Sequence, residues 1–309
     1  MTGIFESHFQ LCPGASLYYR ILGPENKHLP LLAIVPVSNG TTFLLEALAT
    51  HLSAHFRVLL YDRRGYNRSH ADEALLPTKH DFFKVHAEDL AALIEHVSPP
   101  SSPDSQTPEP IHLFTSSASA AVVLELLIRK PHVVRKVVLH DPVIISLSGE
   151  PSCTYFRQEV GLAHAEEVQR GNLVGANTVI GKHLYTPKEW KLFRSSEVAL
   201  YATKNISRRD VAYYLEFEVP AIRDYELVPF WLKAILPCPV GKVVIVQGRD
   251  AAPEMVRGSG ANLSGFMRVP VGSIVGGHMG YATHARDFAK ELLGFLGAES
   301  VSRSEMAKL

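Results

Sequence analysis

The sequence predicts an α/β fold, in which a mostly parallel sheet is flanked by helices and interrupted by a helical insertion. Continuous apolar runs at 31–37, 56–61 and 242–246 are typical of strands that are buried on both faces of a sheet. Amphipathic segments with helical spacing alternate with such runs, as at 84–97. The alternation stops at about 144–237, where several helices rich in aromatic residues are predicted instead.

The individual elements follow from the same patterns in chain order. Strands are predicted at 17–22, 31–37, 56–61, 111–114, 133–140, 242–246 and 268–271. Helices are predicted at 43–53, 84–97, 118–129 and 287–296. A Pro/Ser-rich stretch at 98–110 is expected to form a surface loop. Because strands that alternate with helices form parallel sheets, residues 1–143 and 238–309 are assigned to one core and 144–237 to a helical cap.

Composition and charge exclude several classes of protein. The 309 residues include 31 Lys plus Arg and 31 Asp plus Glu, so the formal net charge is zero. Binding to nucleic acid or to an anionic membrane needs a basic excess, so neither partner is predicted. No apolar run approaches the roughly 18 residues that span a bilayer, and the first ten residues lack the features of a secretory signal. Three widely spaced cysteines, Cys12, Cys153 and Cys238, fit free thiols in an intracellular protein.

The last three residues bear on localisation. They read Ala307-Lys308-Leu309, one residue away from the Ser-Lys-Leu signal for peroxisomal import. The tail is either such a signal, in a eukaryotic cell, or an accidental sequence. We therefore expect a peroxisomal protein if the signal is read and a cytoplasmic protein otherwise.

A predicted strand runs directly into a predicted helix through the small residues Thr115-Ser116-Ser117-Ala118-Ser119. This is the setting of the nucleophile elbow, G-x-S-x-G, in which small neighbours allow a serine to occupy a tight strand-to-helix turn. Thr115 and Ser119 stand where glycine is usual. The structural alternative is a serine-rich turn that only caps the helix. On this segment, Ser117 is a candidate nucleophile.

From about residue 16 to 297 the chain resembles the α/β-hydrolase superfamily, with several matching segments in the expected order. Residues 35–40 stand where the superfamily has its oxyanion loop, and residues 61–69 are similar to its D-x-R-G-x-G-x-S segment. Ser117 falls at the nucleophile position, and residues 276–281 are similar to the histidine loop before the last helix. The serine-rich elbow, the V-P-x-x-x-G loop and the segment around Asp141 further resemble fungal zearalenone-lactonase-type hydrolases.

The resemblance implies a site for acyl transfer. Ser117 would attack the substrate and His278 would take its proton, because a serine hydroxyl is a poor nucleophile without a base. The backbone amide of Ala118, at a helix N-terminus, would stabilise the developing oxyanion. Ser38 would supply the second amide, with Val37 as the other possible donor.

The acid of the implied triad has two candidates, because two predicted strands are followed by an aspartate at the same edge of the sheet. Asp250 follows the strand at 242–246, which is the common superfamily position. Asp141 follows the strand at 133–140, where some members have the acid. Either could hold the imidazole tautomer and stabilise the imidazolium. Asp250 is the preferred candidate and Asp141 is the alternative acid.

The predicted function is hydrolysis of an ester or lactone bond by a Ser-His-Asp triad through an acyl-enzyme. A largely apolar small molecule is expected as the substrate, because the predicted cap is rich in aromatic side chains. These side chains are Tyr155, Phe156, Tyr185, Trp190, Phe193, Tyr213, Tyr214, Phe217, Phe230 and Trp231.

Other functions remain open at this point. The fold also suits a C–C bond hydrolase, a thioesterase, a lyase or cyclase, and a ligand-binding protein. The sequence contains no dinucleotide, P-loop or zinc motif, so no cofactor and no metal are predicted. A homodimer is possible.

Overall fold

A computed structural model describes residues 3–24, 29–100, 107–227, 242–251 and 254–297. Within these ranges the strands form one nine-stranded sheet. The strands are β1 (Gly3–Cys12), β2 (Ala15–Gly23), β3 (Leu31–Ile34), β4 (Arg57–Tyr61), β5 (His70–Ala71), β6 (Ile111–Ser116), β7 (Val134–His140), β8 (Val243–Gly248) and β9 (Val271–Ile274). The predicted fold class, an α/β fold with a mostly parallel sheet, is confirmed.

The order of the strands brings the ends of β6, β7, β8 and β9 to one edge of the sheet. The sheet runs β1-β2-β4-β3-β6-β7-β8-β9, and β5 pairs with β2. Every pairing from β4 onwards along this order is parallel, whereas β2 pairs antiparallel with β1, β4 and β5. Neighbouring parallel strands end side by side, so residues that follow them are close in space although distant in sequence.

Helices cover both faces of the sheet. The core helices are α1 (Glu46–Leu52), α2 (Phe82–Val97), α3 (Ala120–Arg129), α11 (Glu254–Met267), α12 (Gly280–Thr283) and α13 (Ala285–Leu296). On one face, α2, α3 and α11 contribute Leu90, Leu126 and Val256 to an apolar cluster. On the other face, α1 and α13 contribute Leu48 and Phe288 to a second cluster. Residues of the strands alternate between the two clusters, as expected for a sheet buried on both faces.

Helices also fill the connection between β7 and β8. They are α4 (Ser152–Tyr155), α5 (Gly161–Gln169), α6 (Leu173–Leu184), α7 (Pro187–Arg194), α8 (Glu197–Asn205), α9 (Arg208–Tyr213) and α10 (Val219–Asp224), with π-helical turns at Phe156–Val160 and Tyr214–Glu218. We call residues 145–224 the helical insertion. Phe230, Trp231, the predicted boundary at 237/238 and the tripeptide at 307–309 lie outside the described residues. Among the described helices, none combines the length and apolar character that crossing a bilayer would need.

Several elements differ from the sequence prediction, among them the last strand, which was predicted at 268–271 and lies at Val271–Ile274. The strand at 31–37 ends at Ile34, because Pro36 cannot donate to a sheet ladder. The strand β1 was not predicted, since it forms an antiparallel edge whose residues Ile4 and Phe5 stay exposed. The helix α11 was also not predicted, because glycines weaken its helical pattern. One of them, Gly258, is required by close packing, since a Cβ there would lie 2.6 Å from the carbonyl oxygen of Ser148.

Candidate active site

Ser117 lies on the turn that joins β6 to α3. It opens a 3₁₀ turn at Ser117–Ser119, and its φ of 62° places it in the left-handed region of backbone space. A non-glycine residue in this region costs roughly 1–2 kcal/mol. The sharp turn is possible because Thr115, Ser116 and Ala118 are small and buried. The geometry is that of a strained strand-to-helix turn which presents one serine hydroxyl at the edge of the sheet.

His278 reaches this hydroxyl from the loop between β9 and α12. Its Nε2 lies 3.0 Å from Oγ of Ser117, and its side chain is buried. The loop approaches the end of β8 closely, because a Cβ at Gly248 would lie 2.8 Å from the backbone of Gly276 and Gly277. An imidazole at this distance from a serine hydroxyl can take its proton.

Asp141 is the carboxylate beside this histidine. Its Oδ2 lies 3.4 Å from Nδ1 of His278, and its Oδ1 accepts a hydrogen bond of 3.1 Å from the amide of Gly248. The residue directly follows β7 with a φ of 40° and is completely buried. Burial by itself raises the pKa of Asp141, but the neighbouring His140, His278 and Gly248 outweigh burial and hold this pKa below its usual value.

Asp250 occupies a different position. Its side chain is exposed, and its backbone amide donates a hydrogen bond of 2.9 Å to the carbonyl of Gly276. The structure therefore brings Ser117, His278 and Asp141 together and leaves Asp250 outside this group. The sequence preference for Asp250 as the acid does not agree with the geometry, because the left-handed turn after β7 directs Asp141 at His278 while Asp250 remains on the solvent side of its turn.

The loop predicted to hold the oxyanion lies next to the serine turn. The hydroxyl of Ser119 donates a hydrogen bond of 2.7 Å to the carbonyl of Pro36, which joins this loop to the residue after Ala118. The carbonyl of Val37 accepts hydrogen bonds from the amide of Gly40 at 3.0 Å and from Nη2 of Arg63 at 3.1 Å. The loop that contains the predicted amide donors Val37 and Ser38 therefore contacts the turn that contains the third predicted donor, Ala118.

Comparisons with known proteins identify the family of this chain. The model of the Alpha/beta hydrolase family matches residues 34–291. This chain belongs to the alpha/beta hydrolase family. A relative described as the uncharacterized hydrolase YraK of Bacillus subtilis strain 168 is 24% identical over 293 residues, which are 93% of this chain and 94% of YraK.

Solved structures of other hydrolases share the fold of this alpha/beta hydrolase. The enol-lactonase from Burkholderia xenovorans LB400 superposes with a TM-score of 0.67 at 17% identity and covers 94% of this chain and 100% of its own. The 2-hydroxy-6-oxo-6-phenylhexa-2,4-dienoate hydrolase from Rhodococcus sp. strain RHA1 has the same TM-score and identity, and it covers 96% of this chain and 100% of its own.

A second imidazole lies beside Asp141 in this alpha/beta hydrolase. His140, the last residue of β7, is completely buried and places Nε2 at 3.5 Å from Oδ2 of Asp141. Its Nδ1 lies 2.8 Å from Oγ of Ser116. Burial lowers the pKa of His140 to about 4. Sequence reasoning did not assign a role to His140, although its place between a strand and Asp141 is visible in the sequence.

The helical insertion also contacts the histidine loop. Oε1 of Glu189 on α7 accepts a hydrogen bond of 2.6 Å from the amide of Met279, the residue after His278. A Cβ at Gly277 would lie 2.5 Å from the same oxygen, so a side chain there would displace this carboxylate. In the sequence, Thr186 and Glu189 have the spacing of a capping box, which gives no sign of this contact. Thr186 does accept from the amide of Glu189 at 3.1 Å, but the carboxylate binds Met279 instead.

A second carboxylate of the insertion is linked through Arg63 to the loop at 35–40. Glu218 accepts hydrogen bonds from Nη2 of Arg63 at 2.6 Å and from the hydroxyl of Tyr66 at 2.5 Å, and all three side chains are buried. Arg63 in turn binds the carbonyl of Val37. Burial and the charge of Glu218 raise the pKa of Tyr214 in the insertion, and a hydrogen bond between its hydroxyl and Ser38 only partly opposes this rise. The insertion is therefore attached to both loops of the site.

Aromatic side chains of the insertion stand over the histidine. The ring of Tyr185 lies 5.7 Å from the imidazole of His278 and stacks on Trp190 with 5.2 Å between the ring centroids. Glu166 and Glu167, by contrast, pair with Arg170 at the surface beside α5.

Proposed function

We propose that this alpha/beta hydrolase cleaves an ester or lactone bond of a largely apolar small molecule through an acyl-enzyme. The observation that carries the proposal is the row of contacts from Asp141 Oδ2 to His278 and from His278 Nε2 to Ser117 Oγ, at 3.4 and 3.0 Å. Acid, base and hydroxyl are all buried, so water does not screen the charges that form during the reaction.

In the proposed first half-reaction, His278 takes the proton of Ser117 as its Oγ attacks the carbonyl carbon of the substrate. The backbone amides of Ala118 and Ser38 stabilise the oxyanion, with Val37 as the alternative to Ser38. His278 then protonates the leaving alcohol, and the acyl group stays on Ser117. In a lactone the leaving alcohol remains attached to the acyl group.

In the second half-reaction, His278 removes a proton from water, which attacks the acyl carbon. The tetrahedral intermediate collapses, and Ser117 recovers its proton from His278. Throughout both steps Asp141 keeps the imidazole in the tautomer with the proton on Nδ1 and stabilises the imidazolium. These steps consume one molecule of water for each bond that is cleaved.

The aromatic side chains near the site favour an apolar substrate. Tyr185 packs beside His278 and stacks on Trp190, while Oε1 of Glu189 binds the amide of Met279 and Glu218 pairs with Arg63. Apolar walls with few polar groups are typical of sites for apolar ligands. The likeness to the enol-lactonase supports a lactone as one member of the substrate class.

The test is labelling with a fluorophosphonate, followed by intact mass and peptide mapping. We expect one adduct on Ser117 in the unaltered protein, none in Ser117→Ala, and a rate at least a hundredfold lower in His278→Ala. Adjacent Ser116 offers a matched control, since Ser116→Ala keeps the adduct on Ser117. A folded protein without an adduct, or an adduct independent of His278, would overturn the proposal.

A substrate panel then defines the bond that is cleaved. We expect turnover of aryl esters and macrocyclic lactones that is lost in Ser117→Ala. Thioesters and β-diketones belong in the same panel, and turnover of these alone would replace the ester or lactone assignment by thioesterase or C–C bond hydrolase activity. Turnover that survives Ser117→Ala would indicate a lyase or cyclase without an acyl-enzyme.

A further inference from the structure

Three buried polar atoms around the acid face one another. They are Nδ1 of His278, Nε2 of His140 and Oδ2 of Asp141, and none of them forms a regular hydrogen bond with any residue of the described part of the chain. Oδ2 lies 3.4 Å from the first nitrogen and 3.5 Å from the second. Buried polar groups that lack partners are costly, so an acceptor flanked by two nitrogens at this range is a shared site rather than an accident.

The surroundings of His140 determine which of its nitrogens carries the proton. Its ring is enclosed by the aromatic rings of Phe114, Phe288 and Tyr281, at centroid distances of 6.5, 5.0 and 6.1 Å. In this apolar enclosure His140 is neutral at physiological pH and holds a single N–H. The hydroxyl of Ser116, 2.8 Å from Nδ1, can donate there and leave the N–H on Nε2, facing Asp141.

We propose that His140 is a positioning residue, which donates its Nε2–H to Oδ2 of Asp141 so that one carboxylate oxygen serves two imidazoles. Ser116 fixes the tautomer of His140, as Asp141 fixes that of His278. The inference rests on the proposed function of Ser117 and His278. It adds a second Ser–His pair, which lies behind the acid and performs no chemistry on the substrate.

The arrangement has a consequence with a defined sign. A donor on Oδ2 stabilises the ionised carboxylate and lowers its attraction for the proton on His278. Without this donor the carboxylate becomes more basic and holds the imidazolium more tightly, so the base stays protonated up to a higher pH. A substitution that merely displaced Asp141 would lower the pH up to which His278 stays protonated, because the imidazolium would lose the carboxylate that stabilises it.

The other titratable groups around the pair stay in place when His140 is replaced. Glu189 and Tyr185 face the histidine loop from the insertion, and Tyr281 faces it from α12. Tyr185 and Tyr281 are neutral because burial raises the pKa of both hydroxyls far above its usual value. Glu189 does not contact His140 and keeps its bond to Met279.

The experiment is the pH dependence of fluorophosphonate labelling in the full chain. For His140→Phe, which keeps an aromatic ring and removes both nitrogens, we expect the acidic limb of the curve of labelling rate against pH to move to higher pH by about half to one unit. Ser116→Ala should move it in the same direction by less. The matched control is His112→Phe, at the opposite end of the same sheet, where the imidazole packs on Phe56 and the limb should not move.

A limb that stays in place or moves down in His140→Phe would overturn the inference while leaving the proposed function intact. The proposed function would instead be refuted if the unaltered protein were not labelled, or if it were labelled no faster than His278→Ala. A second measurement needs neither activity nor a variant. In ¹⁵N spectra of the unaltered protein, His140 should carry its proton on Nε2 and should not titrate between pH 5 and 8. A proton on Nδ1, or a titration in that range, would refute the inference.

Discussion

Replacing Asp141 by Asn separates the two candidate acids and tests the triad directly. Oδ2 lies 3.4 Å from Nδ1 of His278 in a fully buried setting. At an effective dielectric constant of about 20, a carboxylate at this distance stabilises an imidazolium by about 5 kcal/mol, which corresponds to roughly 10³–10⁴ in rate. Asn removes this charge and also favours the wrong tautomer of His278, so kcat/KM should fall by at least about 10³-fold.

The matched variant is Asp250→Asn. The side chain of Asp250 is exposed, and solvent screens its charge, so we expect a change in kcat/KM of less than about twofold. Both variants are compared with the unaltered protein on the same aryl ester, with thermal unfolding as the control for folding. If Asp141→Asn retained more than a tenth of the activity, or if Asp250→Asn lost as much, the assignment of the acid from the geometry would be refuted.

Three further predictions concern stability. Ser117→Gly should be about 1 kcal/mol more stable than Ser117→Ala in urea unfolding, because both lose the hydroxyl but only glycine accepts the left-handed backbone without strain; equal stabilities would contradict the strain. Glu218→Gln should cost about 3–5 kcal/mol in the same assay, because it leaves a buried guanidinium without its counter-charge, whereas exposed Glu216→Gln on the same turn should cost less than about 0.5 kcal/mol. Burial and two nearby arginines hold the pKa of His86 well below its ordinary value of 6.5. Below pH 6.5 this imidazole therefore binds a proton in the unfolded chain but not in the folded protein. Below pH 6.5, His86 should therefore lower the free energy of unfolding by up to about 1.4 kcal/mol for each pH unit. His86→Phe should make the dependence of this free energy on pH shallower. An unchanged dependence would show that His86 is protonated in the folded protein.

The fold class could be predicted from the sequence, because each buried strand is marked by an apolar run within its own segment of the chain. The runs in β4, β6, β7 and β8 mark strands buried on both faces, and the order of strands and helices determines a parallel sheet. The edge strand β1 was not predicted, because a strand that is exposed to solvent on one side lacks a continuous apolar run. The serine and the histidine were placed by the resemblance of their segments to the superfamily, and the structure brings these two side chains together.

The acid and its neighbours could not be placed in the same way. Asp141 and Asp250 both follow strands at the same edge of the sheet, so the pattern alone does not separate them. What separates them is the backbone turn at Asp141, with a φ of 40°, and the close approach of the histidine loop to Gly248. The contacts of Glu189 and Glu218 depend on how the insertion packs, and a carboxylate on a helix gives no sequence signal of its distant partner.

The attachments of Glu189 and Glu218 limit how substrate specificity can change in this protein. Grafting the insertion of another hydrolase onto this sheet would leave the amide of Met279 and the guanidinium of Arg63 without their acceptors. The insertion is thus not an exchangeable module, because its removal disturbs the machinery beneath it. Single replacements of aromatic residues such as Trp190 leave both attachments in place, and we expect them to be the route to altered substrate specificity. Design of new activities on this scaffold should therefore keep the two carboxylates and vary the side chains between them.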